Sequence, residues 1–325
     1  MPEPLLLVKA VAMASVLAGM AQLLAWWILG AVGAAVLPKV LQLQQTRVAV
    51  GGALGVGIGF VAGAWTLGQW PHWPPIEDRD RFLTLLLPAA ILVECLASLP
   101  RVRPWLTWDM RLVLAAACAP ILLYRTTYLA DLAGPGSREW TDRQMAAWLT
   151  GMAAALAILW IGAVRLLGTS SGRILPFALA ITTGGAGVTI MLSGYLTGGE
   201  LALPLAGAIG GAAFVSLCLR MLKCNVGVVS VGVVGLFSLL VMGRFFGEVT
   251  TLHSGILLAA PLLVGLPEVL PRRLSSVWLR AALAVVLAVI PVAFVVVQAR
   301  EKFVKASAPA SSLDEATVDD YMEYK

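Results

Sequence analysis

Glu94 is the residue with the clearest capacity for chemistry. It stands inside an apolar run from about Phe82 to Leu99, and a carboxylate at membrane depth is costly unless it faces a partner, a cavity or an ion path. Pairing with Arg101 or Arg111 makes it a structural ion pair. A water-filled surrounding makes it a proton- or cation-coupling group. Burial without either makes it a protonated glutamate, because low dielectric disfavours the charged form.

A second candidate is the polar, glycine-broken centre Thr182, Thr183, Gly184, Gly185 and Gly187. In membrane carriers an unwound helix of this kind exposes backbone to a ligand. Together with Glu94 these residues form the expected substrate or ion path of a secondary transporter, moving a small solute coupled to protons or cations. The same glycines also fit close helix packing. On that reading the chain is a non-catalytic membrane subunit or scaffold of a larger membrane complex.

Other constellations have simpler explanations. Arg244 and Glu248 are four apart, as in a helix-surface ion pair, and His253 follows with a side chain able to titrate near neutrality. Asp109, Arg111 and Arg125 share a segment with Pro120, where Tyr124 and Tyr128 fit an interfacial belt. Trp65, Trp70, His72 and Trp73 precede Glu77, Asp78 and Asp80. Aromatic faces beside acids suit a cationic or sugar-like ligand, but tryptophan enrichment at membrane interfaces accounts for them without any ligand, and an interfacial belt is the expected reading.

Several classes of chemistry are not expected. Gly57, Gly59 and Ala62 match a dinucleotide fingerprint, with Glu77 about twenty residues on, but no strand precedes them. Neither HExxH, a nucleophile and base pair nor a P-loop is present, so no enzyme is expected. The two histidines, His72 and His253, are far apart, and Cys95, Cys118, Cys218 and Cys224 form no CxxC pair. Neither a metal nor any other cofactor is expected.

The elements that must position these residues follow from composition. Among 325 residues 59% are hydrophobic and 13% charged, with mean hydropathy +0.88, a makeup foreign to soluble domains. The net charge of +5 resides at segment ends, which argues against a nucleic-acid partner. The expected fold is all-α, a polytopic membrane helix bundle of about ten transmembrane helices, each near the roughly 20 residues a bilayer requires. The direct partner is the lipid bilayer, alongside an unidentified small solute or membrane protein. The location is a multi-pass membrane one, in the cytoplasmic (inner) membrane if the chain is bacterial.

The stretch Val48 to Gly68 carries Gly51, Gly55, Gly59 and Gly63 at four-residue intervals, a ladder expected to form a central packing helix. Gly207 and Gly211 stand in a comparable helix of the second half, and Ala-Pro pairs at Pro120 and Pro261 also correspond. Two five-helix halves of inverted topology are one way to organise ten spans. That layout, though no motif, resembles the drug/metabolite transporter superfamily. Lys and Arg divide evenly between alternate connections, and their placement among acids and in the tail puts both termini outside the cytoplasm. The ninth span, with Pro261, Pro267 and Pro271, is expected to be bent, short or re-entrant. Residues 1–299 form the membrane domain, and 300–325 a flexible acidic tail in which Ser312 and Glu315 fit a capping box.

Overall fold

The computed structural model of the chain describes residues 3–35, 44–99, 101–132, 136–169, 171–221, 225–268 and 277–307. The expected tail helix around Ser312, together with Lys39, Lys223, Cys224, Pro271, Arg272 and Arg273, lies outside them. Among the described residues there is no strand. The long helices are α1 (Pro4–Ala35), α2 (Gln44–Thr66), α3 (residues 78–97), α4 (Pro104–Leu122) and α5 (Asp142–Leu167). There follow α6 (Leu175–Leu192), α7 (Leu196–Cys218), α8 (Val226–Phe245), α9 (Thr251–Glu268) and α10 (Val277–Ser307). Nine described helices are long and apolar enough to cross a membrane. The tenth, α3, joins pieces of 4, 5 and 11 residues end to end. The chain is thus an all-helical, multi-pass membrane bundle.

Local sequence explains where these helices start and change. Thr141 caps α5 in a box with Gln144, and the Thr250 hydroxyl accepts from the His253 backbone N–H to open α9, each satisfying an orphan donor. Gly194, at φ +90°, allows α6 to turn into α7 within three residues, since only glycine takes that conformation without strain. In α3 the middle piece is a π-helical turn, Phe82–Leu86. Pro88 has no N–H for the Thr84 carbonyl, and the Thr84 hydroxyl donates to the Asp80 carbonyl at 2.6 Å. The ladder widens there instead of breaking.

The ninth span is helical throughout its described length, tightening from α to 3-10 geometry at Ala260. Pro261 and Pro267 supply the cause, because neither can donate to an α ladder. At the other end of the chain, α10 continues to Ser307. Residues 300–307 therefore extend the last helix beyond the expected boundary at 299.

The most enclosed element is α8, not α2. Every residue from Gly227 to Gly243 is buried, and 94% of the span is covered, against 67% for α2. Helices α2 to α7 and α9 all pack on it. A helix that is apolar all round has no face to give to water and belongs inside.

Helix α1 lies outside this core and rests on α2 and α7. Ala10, Ala14 and Ala18 are fully buried on its inner side. A Cβ built at Gly55 would stand 2.7 Å from the Ala18 carbonyl oxygen, and one at Gly63 2.8 Å from the Ala14 Cβ. At Gly59 it would collide with the Ala14 carbonyl, while Gly51 faces the Gln22 carbonyl at 3.1 Å. On α7 a Cβ at Gly207 would lie 2.7 Å from the Val11 carbonyl oxygen, and one at Gly211 would strike the Ser15 backbone. Gln22, fully buried, adds a hydrogen bond from its Nε2 to the Ser216 hydroxyl of α7 at 2.8 Å.

Overpacking at such contacts costs about 1–3 kcal/mol. Gly55→Val and Gly207→Val are each expected to lower unfolding stability in detergent by about that amount. Gly151→Ala, whose Cβ would enter open space in the interior of α5, is expected not to lower it, and to raise it by up to about 1 kcal/mol through helix propensity, in the same denaturation curves.

Candidate functional site

Glu94 meets Arg111. The Arg111 Nε donates to Glu94 Oε1 at 2.7 Å and its Nη2 donates to Oε2 at 2.8 Å. This is the parallel fork for which guanidinium and carboxylate geometries match. Glu94 is 0% exposed and Arg111 7%. Glu94 lies three residues before the end of α3, and Arg111 seven residues after the start of α4. At 1.5 Å rise per residue the carboxylate sits roughly one helical turn below the helix end.

Aromatic rings close the pair. The guanidinium carbon lies 5.0 Å from the ring centroid of Trp108 and 5.9 Å from that of Trp160, within reach of a cation–π attraction. Trp160, fully buried on α5, donates its Nε1–H to the Ser230 hydroxyl of α8 at 2.8 Å. The ion pair of α3 and α4 is thereby connected through α5 to the central helix. Of the two partners expected for Glu94, Arg111 holds it and Arg101 does not.

The Thr182 to Gly187 segment lies in unbroken helix. Thr182 donates to the Ala178 carbonyl at 2.8 Å and Thr183 to the Leu179 carbonyl at 2.7 Å, so both hydroxyls are satisfied within their own helix. A Cβ at Gly187 would stand 2.7 Å from the Ala202 Cβ of α7, one at Gly184 3.7 Å from the Ala206 Cβ, and one at Gly185 would collide with Val292 of α10. The expected unwinding is absent from this segment. Glu94 on α3 and the threonines on α6 do not meet, because α8 packs against both helices. The joint site drawn from the sequence is therefore not assembled.

A second polar cluster joins the ends of α2, α3 and α4 to the turn before α7. The Tyr195 hydroxyl donates to Asp78 Oδ2 at 2.6 Å. Burial, reinforced by the Asp78 carboxylate, pushes the Tyr195 phenol well above the ordinary tyrosine range, so it stays a donor. Gln69 donates to Glu200 Oε2 at 3.1 Å and accepts from Arg79 Nη1 at 2.6 Å. Arg81 donates to the carbonyls of Ile76 at 2.6 Å and Leu122 at 3.2 Å. Asp78 and Asp80 are buried in this network, whereas Trp65, Trp70 and Trp73 remain exposed. The acids turn inward and bind their neighbours while the rings face outward.

Two further expectations resolve differently. Arg244 donates from Nε to the Thr251 hydroxyl at 2.9 Å and does not pair with Glu248. The reason is that α8 ends at Phe245, so helical spacing does not carry to residue 248. His253 is buried and its Nε2 lies 2.7 Å from Gln298 Oε1, which links α9 to α10.

No family model, curated protein or solved structure matches the chain. Its class rests on its own sequence and fold, those of a multi-pass helical membrane protein.

Removing one partner of a buried pair strands the other, at a typical cost of about 3–5 kcal/mol. Arg111→Met is expected to destabilise the folded protein by about that much in chemical denaturation, and Glu94→Met/Arg111→Met to recover most of the loss. Tyr195→Phe removes the side-chain donor to Asp78, whose carboxylate keeps its backbone donors, and is expected to cost about 1–3 kcal/mol.

Proposed function

We propose that the chain is a non-catalytic membrane subunit or scaffold, whose intramembrane charges hold the bundle together. The observation that carries this reading is the Glu94–Arg111 fork. Both carboxylate oxygens are occupied by guanidinium donors, leaving Glu94 poorly suited to exchanging a proton or cation. The satisfied hydroxyls of Thr182 and Thr183 favour the same reading, since a transport path needs polar groups turned towards water. A secondary transporter coupled through Glu94 is the competing reading, and it requires the fork to open.

Glycine-rich packing belongs to the same proposal. With Gly51, Gly55, Gly59 and Gly63 on α2, and Gly207 and Gly211 on α7, α1 is seated backbone to backbone on two neighbours at once. These glycines serve internal assembly on this reading, not association with a second copy. A partner then meets the outer faces of the bundle.

Cysteine accessibility separates the two readings. In a version with the native cysteines replaced by alanine, single cysteines at Thr182 and Ala90 are expected to resist membrane-impermeant maleimide applied from either side of native membranes. Cysteines at exposed Thr127 and Asp142 provide the positive control. Labelling of Thr182→Cys or Ala90→Cys in intact membranes reinstates the transporter and sinks the scaffold.

A further inference from the structure

A cleft of about 250 Å³ opens between α5, α8 and α9, away from the Glu94 pair. Its three walls share one gradient. On α8 they pass from Arg244 through Leu240 to Phe237, and on α9 from Thr251 and Ser254 to Leu258. On α5 they pass from Trp148 through Gly151 to Ala155. One end is polar and cationic, while the deeper end is apolar. Gly151 and Gly255 leave open space where other residues would carry a Cβ.

The polar end lies at interface depth. Trp148 stacks on Trp140 with ring centroids 5.9 Å apart and planes 11° apart, and the Phe245 ring meets Trp140 and Tyr128 edge-on. Such aromatic groups mark the headgroup level of a bilayer. Two polar groups there lack full satisfaction. Among the described residues the Ser254 hydroxyl is buried with no hydrogen-bond partner, and Arg244 makes one hydrogen bond, from Nε to Thr251, which leaves its Nη donors for another acceptor. Helix α9 also begins at this end, and its positive dipole favours an anion.

We propose that this cleft binds one anionic phospholipid, with an acyl chain between α5 and α9 and the phosphate at Arg244, Thr251 and Ser254. The size agrees with the occupant: drug-sized ligands fill clefts of roughly 300–1,000 Å³, so this one suits a single chain better than a bulky solute. Charge complementarity selects the head: a guanidinium pairs with a phosphate through its donors, and a head without a choline cation adds no like charge beside Arg244 to oppose that pairing.

Native mass spectrometry of the full chain in detergent, titrated with phosphatidylglycerol, phosphatidylcholine or inorganic phosphate, tests this directly. The wild type is expected to retain one phosphatidylglycerol with roughly tenfold preference over phosphatidylcholine, the size of one good charged contact. Excess inorganic phosphate should not displace it. Arg244→Gln should abolish the preference, and Gly151→Leu/Gly255→Leu, which fills the open space, should abolish retention while helical circular dichroism stays unchanged. Equal retention of the two lipids by the wild type overturns the proposal without reference to any variant. Retention by the folded double-leucine variant, or displacement by inorganic phosphate, overturns it as well.

Discussion

A charge taken out of water must find an opposite charge, and this constraint shapes the bundle most at Glu94 and Arg111. Neither is stable alone at its depth, since the desolvation of one ion costs several kcal/mol. Their fork makes α3 and α4 mutually dependent. The cover of Trp108 and Trp160 then brings in α5, and the bond from Trp160 to Ser230 reaches α8. Four helices are registered against one another through a single buried contact set. Apolar packing alone would supply little such register, because lipid tails solvate leucine as well as another helix does.

Around that registered core, small residues and short polar links do the remaining work. α8 carries valine and glycine on every side, so Gly232 admits Leu179 of α6 and Gly235 admits Leu205 of α7. α1 is attached differently, through close backbone approach to α2 and α7 together with the bond from Gln22 to Ser216. At the opposite end of the bundle from the Glu94 pair, Asp78, Tyr195, Gln69 and Glu200 tie the ends of helices. Polar groups thus fasten both ends of a middle that is almost wholly apolar.

How legible this was in the sequence depended on whether the signal was local. Ten helices follow from ten apolar runs of membrane length, and their boundaries shift mainly where local charge misleads. The start of α3 at Asp78 reads as loop because Asp78, Arg79, Asp80 and Arg81 look solvated, yet all four are engaged or buried in the fold. The partner of Glu94 could be narrowed to two arginines but not chosen, since the choice depends on how α3 and α4 face one another. Asp78 and Tyr195 are 117 positions apart, and no periodicity connects them. The central place of α8 did have a signal, its apolar character on every face, but the glycine ladder of α2 was the more conspicuous pattern. Glycine spacing marks where backbones approach and says nothing of how many neighbours surround a helix.

The closed state of Glu94 can be measured directly with a lipid-soluble carbodiimide, which modifies carboxyl groups that are protonated and reachable from the bilayer. Held by two guanidinium bonds, Glu94 in native membranes should remain unmodified in peptide mass spectra, whereas in Arg111→Met it should become modified. Stoichiometric modification of Glu94 in the wild type would contradict the account, because it would place a free carboxyl where the structure has an ion pair.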